Sequence, residues 1–420
     1  MNRPCAVQPA PPRIPAAWSR SVRYWKVKVR PSRCPIAFFE KMGYDRPMIT
    51  NERPIIIDLF AGVGGMSLGA ARAGFDVKAS VELDRIALAT HQINFPNAQH
   101  LGWDIGATAG DALLESAGVK LGQLDGLIGG PPCQGFSEIG KKSASDPRNA
   151  LFGHFFRLVA ETLPRFYVAE NVPGILNERN AKIVETALAL VPSRYVKFEP
   201  TPVAASDHGA PTKRARVFFV GYDPSRMDAL EAKSLFRGLQ RRAPTVGEAL
   251  IGLPRIRCDW QREEQGWRRV GNLPAGEFYQ RLIDACPPGV GSTFALDRLD
   301  KRNEISGCLG TRHTLATVRR FDRLGPGECD PISRATRLDP EGFCPTLRAG
   351  TGPERGSFQA VRPIHAVSPR VITPREAARL QGFPDWFQFH GTKWHSFRQI
   401  GNSVSPLLAE SLLGRIFAKL

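Results

Sequence analysis

Short, unbroken apolar runs alternate with amphipathic stretches between Ile55 and Tyr222, a rhythm that predicts an α/β domain with a doubly wound sheet. The run Pro54-Ile55-Ile56-Ile57-Asp58-Leu59-Phe60 is β-branched and feeds the turn Ala61-Gly62-Val63-Gly64-Gly65, after which Met66 to Ala73 is helix-like. A second strand, Phe75 to Val81, ends in Glu82. A third, Leu124-Asp125-Gly126-Leu127-Ile128, ends in Gly129-Gly130, and a fourth, Phe166 to Ala169, ends in Glu170. Val217 to Gly221 reads as a fifth. Parallel strands buried on both faces read as runs of this kind. Phe152, Phe155, Phe156, Val159 and Leu163 share one helical face and predict a core stripe. Beyond Pro224 the pattern dissolves into turns, arginines and irregular runs up to about Ala366, which predicts a smaller domain of loops and short strands. Pro406 to Lys419 predicts a final helix.

Three loops carry chemistry. The glycine turn after the first strand offers backbone N–H groups to a ligand, and Glu82 follows about 20 residues on, where a carboxylate accepts both hydroxyls of a ribose. The turn is not G-x-G-x-x-G and no G-K-[ST] is present, so a nucleoside cofactor without a pyrophosphate fits, S-adenosylmethionine being the obvious one. The second loop is Gly129-Gly-Pro-Pro-Cys-Gln-Gly-Phe-Ser137. Pro131 and Pro132 fix the direction of the chain, and the loop presents Cys133 at the carboxyl edge of the sheet. A thiolate there is a nucleophile; a small buried cysteine beside a structural turn is the plain alternative. Glu170 leaves the same edge and suits proton transfer to a ring nitrogen, against the alternative of a capping or salt-bridging acid. In the third, Thr212-Lys-Arg-Ala-Arg216, Arg214 and Arg216 share a face if extended, to bind a base carbonyl or a phosphate, or else form an exposed basic hairpin tip.

Composition changes the picture modestly. The 420-residue chain carries a formal charge of +17 with a pI near 9.9, which suits a polyanionic partner. Residues 1–47 hold ten Lys/Arg and two acids, so the remainder is only moderately basic. Residues 1–50 form a Pro/Arg-rich extension expected to be disordered, and Met48 just ahead of the first strand favours a misassigned start or a dispensable tail. Eight scattered cysteines without C-x-x-C read neither as a zinc site nor as a disulfide framework, and a reducing cytoplasm fits them. His390 and His395 read as packing or loop residues, and no metal is expected. Asp58 and the glycines within Ile55–Ala71 exclude a membrane span.

With these elements in order, the chain resembles the DNA (cytosine-5)-methyltransferases of bacterial restriction–modification type. Asp58-Leu-Phe-Ala-Gly-Val-Gly-Gly65 is similar to their first motif, Pro131-Pro-Cys-Gln-Gly-Phe-Ser137 to the catalytic one and Glu170-Asn-Val172 to the acid motif. Arg214-Ala-Arg216 resembles their arginine motif, with Thr212 where the family commonly has Gln. Cys344 to Arg348, Thr373 to Pro384 and Arg398-Gln-Ile-Gly-Asn-Ser-Val-Ser-Pro406 resemble the closing segments.

The resemblance implies a Rossmann-like, S-adenosylmethionine-dependent methyltransferase domain with a second, smaller target-recognition domain. The expected division is 51–224 catalytic and cofactor-binding, 225–366 target recognition, and 367–420 returning to the catalytic domain. Cys133 is then the nucleophile toward C6 of a flipped cytosine, with Glu170 at N3, Arg216 on the O2 side and Arg214 beside it. Asp58, Phe60, Gly62, Gly64, Gly65, Glu82, Leu83, Asp104, Ile105, Pro131, Leu151, Asn402 and Ser403 are the implied cofactor residues. Pro132, Ser137, Asn171 and Val172 shape the implied base pocket. Arg255, Arg257, Arg268, Arg269, Arg319 and Arg320 are candidates for DNA contacts. The expected partner is double-stranded DNA, met by a monomer; a cognate restriction endonuclease that acts separately is left open. Two rivals stand beside this reading, a transfer-RNA cytosine methyltransferase and a catalytically silent DNA-binding regulator. The length between Tyr222 and Cys344 favours DNA, and the intact Cys133, Glu170 and Arg216 count against the regulator.

Overall fold

The structure, a computed structural model, describes residues 53–132, 148–239, 242–256, 266–283, 286–350 and 362–420. Its centre is an eight-stranded sheet of order β3-β2-β1-β4-β5-β8-β6, with β7 also paired to β8. The strands are β1 (Ile55–Leu59), β2 (Asp76–Val81), β3 (Gln99–Leu101), β4 (Gly126–Gly129), β5 (Phe166–Asn171), β6 (Val196–Lys197), β7 (Thr201–Ala204) and β8 (Ala215–Tyr222). β1 to β5 run parallel, whereas β8 lies antiparallel to β5. Helices α1 (Gly65–Ala73), α2 (Arg85–Asn94), α3 (Gly110–Ser116), α4 (Arg148–Thr162) and α5 (Ala181–Ala189) connect them.

Alternation along the strands builds two cores. In β5, Phe166 and Val168 join α1 on one face, while Tyr167 and Ala169 join α4 on the other. Phe152, Phe155, Phe156 and Val159 of α4 are fully buried, with Phe152 and Phe156 packed edge-on against Phe219 and Tyr167. Leu163 departs from the expected stripe. It stands past the helix end at φ +48°, because Pro164 disfavours a helical residue before it, and it is only half-buried. β5 also extends beyond the expected strand: Glu170 and Asn171 stay in register with Phe218 and Val217 of β8.

After β8 the chain is more helical than its pattern promised. A two-stranded pair, β9 (Arg268–Arg269) with β10 (Glu304–Ile305), accompanies short helices and the longer α6 (Thr293–Arg302) and α7 (Leu315–Asp322). Both longer helices are started by hydroxyl caps, Ser292 accepting from the Ala295 N–H and Thr314 from the Thr317 N–H. Leu230, Val246, Leu299 and Ile305 from this stretch belong to the same core as α1.

The last segment ties the molecule together. Helix α8 (Pro374–Leu380) starts with a capping box of Thr373 and Glu376. The guanidinium of Arg375, fully buried, donates to the carbonyls of Ser306, Pro384 and Phe387, and Arg379 pairs with Asp385 while donating to the Ala249 and Ile251 carbonyls. Helix α9 (Lys393–Asn402) follows, and α10 (Pro406–Phe417) lies along α1. Gly69 permits that approach: a Cβ there would sit 2.4 Å from the Ala409 Cβ. Among the described residues, no helix is long and apolar enough to cross a membrane, and no group of three His, Cys, Asp or Glu could hold a metal ion.

Candidate active site

A cleft of about 340 Å³ opens at the carboxyl ends of β1, β2, β4 and β5. In open α/β sheets a crevice forms where the chain order reverses, here between β1 and β4, whose connections lead to opposite sides. Sixteen of the expected residues line the cleft together: Asp58, Phe60, Gly62, Gly65, Glu82, Leu83, Asp104, Ile105, Pro131, Pro132, Leu151, Glu170, Asn171, Val172, Asn402 and Ser403. Arg214 and Arg216 join them. Cys133 and Ser137 lie outside the described residues, as does Arg257.

The turn after β1 is built from unusual backbone. Phe60, Gly62 and Gly64 all have positive φ, at 56°, 56° and 95°. For Phe60 the left-handed conformation costs about 1–2 kcal/mol, strain of a kind that gathers at ligand sites. Gly62 turns its N–H to a Glu82 oxygen at 2.9 Å, and the other Glu82 oxygen accepts the Asp84 N–H at 2.8 Å. Burial still pushes the Glu82 carboxyl up, against those two N–H groups and the attraction of Arg398. Gly65 faces the chain end, where a Cβ would meet the Val404 carbonyl oxygen at 2.4 Å. Gly64 is the exception among the expected cofactor residues. It caps α1, packs against Phe95 and does not line the cleft, so its part is to turn the backbone.

At the end of the cleft beside Pro131 and Pro132, Arg216 Nε stands 2.6 Å from Glu170 Oε1, and both side chains are about nine-tenths buried. The pair exists because β8 is antiparallel to β5, which brings residue 216 beside the end of β5. Gly130 leaves Glu170 room, since a Cβ there would lie 3.2 Å from Oε2. Asn171 donates to the Pro131 carbonyl at 3.3 Å and accepts the Val172 N–H at 2.9 Å, fastening the proline loop to β5.

Arg214, expected beside the base, lines the cleft but is 2% exposed, and its guanidinium donates to the carbonyls of Leu347, Gly401 and Asn402 at 2.9–3.3 Å. These bonds hold the closing segments against β8. Arg320 is likewise engaged, by the fully buried Asp330, whereas Arg255, Arg269 and Arg319 are exposed.

The sequence reading missed Trp103, His395, Arg398 and Gln399, which also line the cleft. Arg398 pairs with Asp84 at 3.1 Å, and Gln399 donates to Thr90 Oγ1 at 2.9 Å. The placement of Asp84 directly before the helix at Arg85 was a legible cap signal; its distant arginine partner was not. Also missed was a buried string leading away from Asp58. Ser67 Oγ donates to Asp58 Oδ2 at 2.5 Å and stands 3.0 Å from His91 Nε2, and His91 Nδ1 stands 2.9 Å from His100 Nε2.

An open parallel sheet closed by an antiparallel strand, with its cleft at the β1/β4 switch, is the framework of the α/β methyltransferases. A structure of a prophage-encoded DNA modification methyltransferase (E. coli) shares it with a TM-score of 0.78 and 49% identity, covering 87% of this chain and 98% of that one. The family model for C-5 cytosine-specific DNA methylases matches residues 55–265 and 276–418, and the chain belongs to that family as a DNA (cytosine-5)-methyltransferase. Among curated relatives, the Type II methyltransferase M.XorII of Xanthomonas oryzae pv. oryzae is 40% identical over 88% of this chain and 85% of its own length. The Type II methyltransferase M.DdeI of Desulfomicrobium norvegicum is 32% identical over 86% and 88%. The S. pombe Dnmt2 structure, at 16% identity and a TM-score of 0.55, shares the fold.

Proposed function

We propose that the protein methylates C5 of a cytosine within a specific double-stranded DNA sequence, using S-adenosylmethionine and a base turned out of the duplex into the cleft. The observation that carries this reading is the Glu170–Arg216 pair, held at 2.6 Å beside Pro131 and Pro132, directly ahead of Cys133. The cleft suits the cofactor. Its volume falls within the roughly 300–1,000 Å³ range of small-molecule sites, and its acids, the buried Asp58 and the partly buried Glu82, match a cationic ligand. Glu82 would hold the ribose, Phe60 and Ile105 the adenine, and the segment at Asn402 and Ser403 would close the far side. Bound there, S-adenosylmethionine supplies an electrophilic methyl group.

The chain's own residues act on the base. The Cys133 thiolate forms a bond to C6 while Glu170 places a proton on N3, so no negative charge accumulates on the ring and C5 becomes electron-rich. Arg216 orients the Glu170 carboxyl and faces the O2 side. After methylation the C5 proton leaves to solvent, the electron pair it leaves behind restores the C5–C6 double bond as the carbon–sulfur bond breaks to return the Cys133 thiolate, and the N3 proton returns to Glu170. The stretch 225–366 is the proposed target-recognition part, with Arg255, Arg269 and Arg319 free of the contacts that occupy Arg320. The relatives named above are Type II methyltransferases, which supports placing this protein as the modifying half of a restriction–modification system.

Target DNA carrying 5-fluorocytosine tests the covalent step, because fluorine does not leave as a proton does. The native protein with S-adenosylmethionine is expected to give an adduct that survives denaturing electrophoresis, and Cys133→Ser none. An active enzyme that gives no adduct would overturn the addition mechanism. Bisulfite sequencing of DNA from expressing cells identifies the site.

A further inference from the structure

The string from Asp58 to His100 has a directionality that geometry alone sets. Ser67 has one hydroxyl proton, and a neutral imidazole has one N–H. When Asp58 is a carboxylate, Ser67 must donate to it at 2.5 Å, so Ser67 Oγ accepts from His91 Nε2 at 3.0 Å. His91 Nδ1 is then bare and accepts a hydrogen bond from His100 Nε2 at 2.9 Å or from the Ser80 hydroxyl at 3.5 Å. When Asp58 carries a proton on Oδ2, Ser67 accepts from it instead and is free to donate to His91 Nε2. The charge of Asp58, a side chain that is 1% exposed and lies on the floor of the cleft, therefore fixes the direction of the string only when it is a carboxylate.

Two acids share that floor. Glu82 is stabilised as an anion by the Gly62 and Asp84 N–H groups and by Arg398, itself paired with Asp84. Among the described residues, Asp58 is held as an anion by Ser67, through its hydroxyl and its N–H, and it faces the charge of Glu82. Of the two, Asp58 is the less stabilised as an anion. Burial, the largest cause, and repulsion from Glu82 push its carboxyl up to about 7, while Ser67 pulls it down. His91 is fully buried and held well below the usual imidazole range by that burial and by His100, so it stays neutral. His100, half-buried, is lowered by burial and raised by a bond to the Ala98 backbone, which competes with His91 for the single N–H of the neutral ring.

We infer that Ser67 and His91 are positioning residues that set the charge of Asp58, and that uptake of the cationic cofactor is coupled to release of one proton from Asp58. This rests on the cleft holding S-adenosylmethionine as proposed above. The cofactor's positive charge favours the carboxylate, so the proton leaves Asp58 for solvent and the string settles in the orientation that points its donors toward the cleft. The sign follows from linkage: the protonated form accumulates as pH falls through about 7, so binding is complete above that pH and weakens below it. One proton released makes the Kd about tenfold weaker at pH 6 than at pH 8.

The test is calorimetric titration of the full-length protein with S-adenosylmethionine from pH 5.5 to 8.5 in buffers of different ionisation enthalpy. The expected result is release approaching one proton per cofactor at the acid end and falling away above pH 7. Asp58→Asn is expected to abolish the release. Ser67→Ala and His91→Phe, the latter keeping a ring against Phe95, are expected to move the midpoint upward by about one pH unit, the loss of one hydrogen bond to the charged form. A purely structural role for Ser67 and His91 would instead weaken binding by one factor at every pH and leave the midpoint in place. The cofactor's own amine titrates alike with every variant and cancels in the comparison. Tight binding with no proton released at pH 6 overturns the inference and leaves the cofactor reading intact; no binding at any pH overturns the cofactor reading itself.

Discussion

Replacing Glu170 by Gln separates the catalytic reading of this acid from the structural one. The change keeps the shape of the side chain and removes its charge and its transferable proton. In the folded protein Arg216 Nε lies 2.6 Å from the carboxylate, with both side chains about nine-tenths buried. At an effective dielectric near 20, charges about 4 Å apart attract by about 4 kcal/mol, most of it offset by the desolvation of both groups. Leaving Arg216 beside a neutral amide is expected to destabilise the fold by about 1–3 kcal/mol. Loss of a positioned general acid costs a further 10²–10⁴-fold in rate, equivalent to about 3–5 kcal/mol in the barrier. Single-turnover transfer of a labelled methyl group, run well below the melting transition of both proteins, reads the second effect without the first. Glu170→Gln/Arg216→Gln provides the control: removing both charges recovers part of the stability and none of the rate. A Glu170→Gln enzyme within threefold of the native rate would refute the proton-transfer role and leave Glu170 a salt-bridging acid.

Two further predictions concern how the site is held. Arg379→Met leaves Asp385 fully buried and unpaired and takes donors from the Ala249 and Ile251 carbonyls; urea unfolding is expected to show a loss of about 3–5 kcal/mol, partly recovered by adding Asp385→Leu. Gly69→Ala places a Cβ 2.6 Å from the Glu410 backbone nitrogen as well as against Ala409, so α10 must shift from α1, at a cost of about 1–3 kcal/mol read as a lower melting temperature. An unchanged transition in either variant would contradict the packing described.

Local signals were legible and non-local ones were not. The β1 run, the glycine turn and Glu82 could be read directly, because a parallel strand buried on both faces needs continuous β-branched residues and the turn needs positive φ. Arg216 could be placed near Glu170 only as a neighbour on the sheet edge; its ion pair depends on β8 entering antiparallel between β5 and β6, which no residue near 216 announces. The backbone bonds of Arg214 were hidden for the same reason, since the carbonyls it donates to belong to residues 347, 401 and 402. His91 was invisible. Within an amphipathic helix it looks like any polar position, and its burial appears only once Ser67, Phe95 and His100 close around it.

The same non-locality governs how the cleft comes into being. Gly65 and Gly69, on the helix that leaves the glycine turn, are in contact with Val404 and Ala409 near the other end of the chain, too close for any side chain between them. Arg214 secures the segment at Gly401 and Asn402 from a third direction. The wall carrying Asn402 and Ser403 is therefore in place only when α10 has docked on α1, and the docking surface of α1 begins one residue after the turn that faces the proposed cofactor. Assembly of the cleft and packing of α10 are therefore expected to be coupled. A perturbation of the α1–α10 contact is thus expected to reach the cleft even though Gly69 does not itself line it.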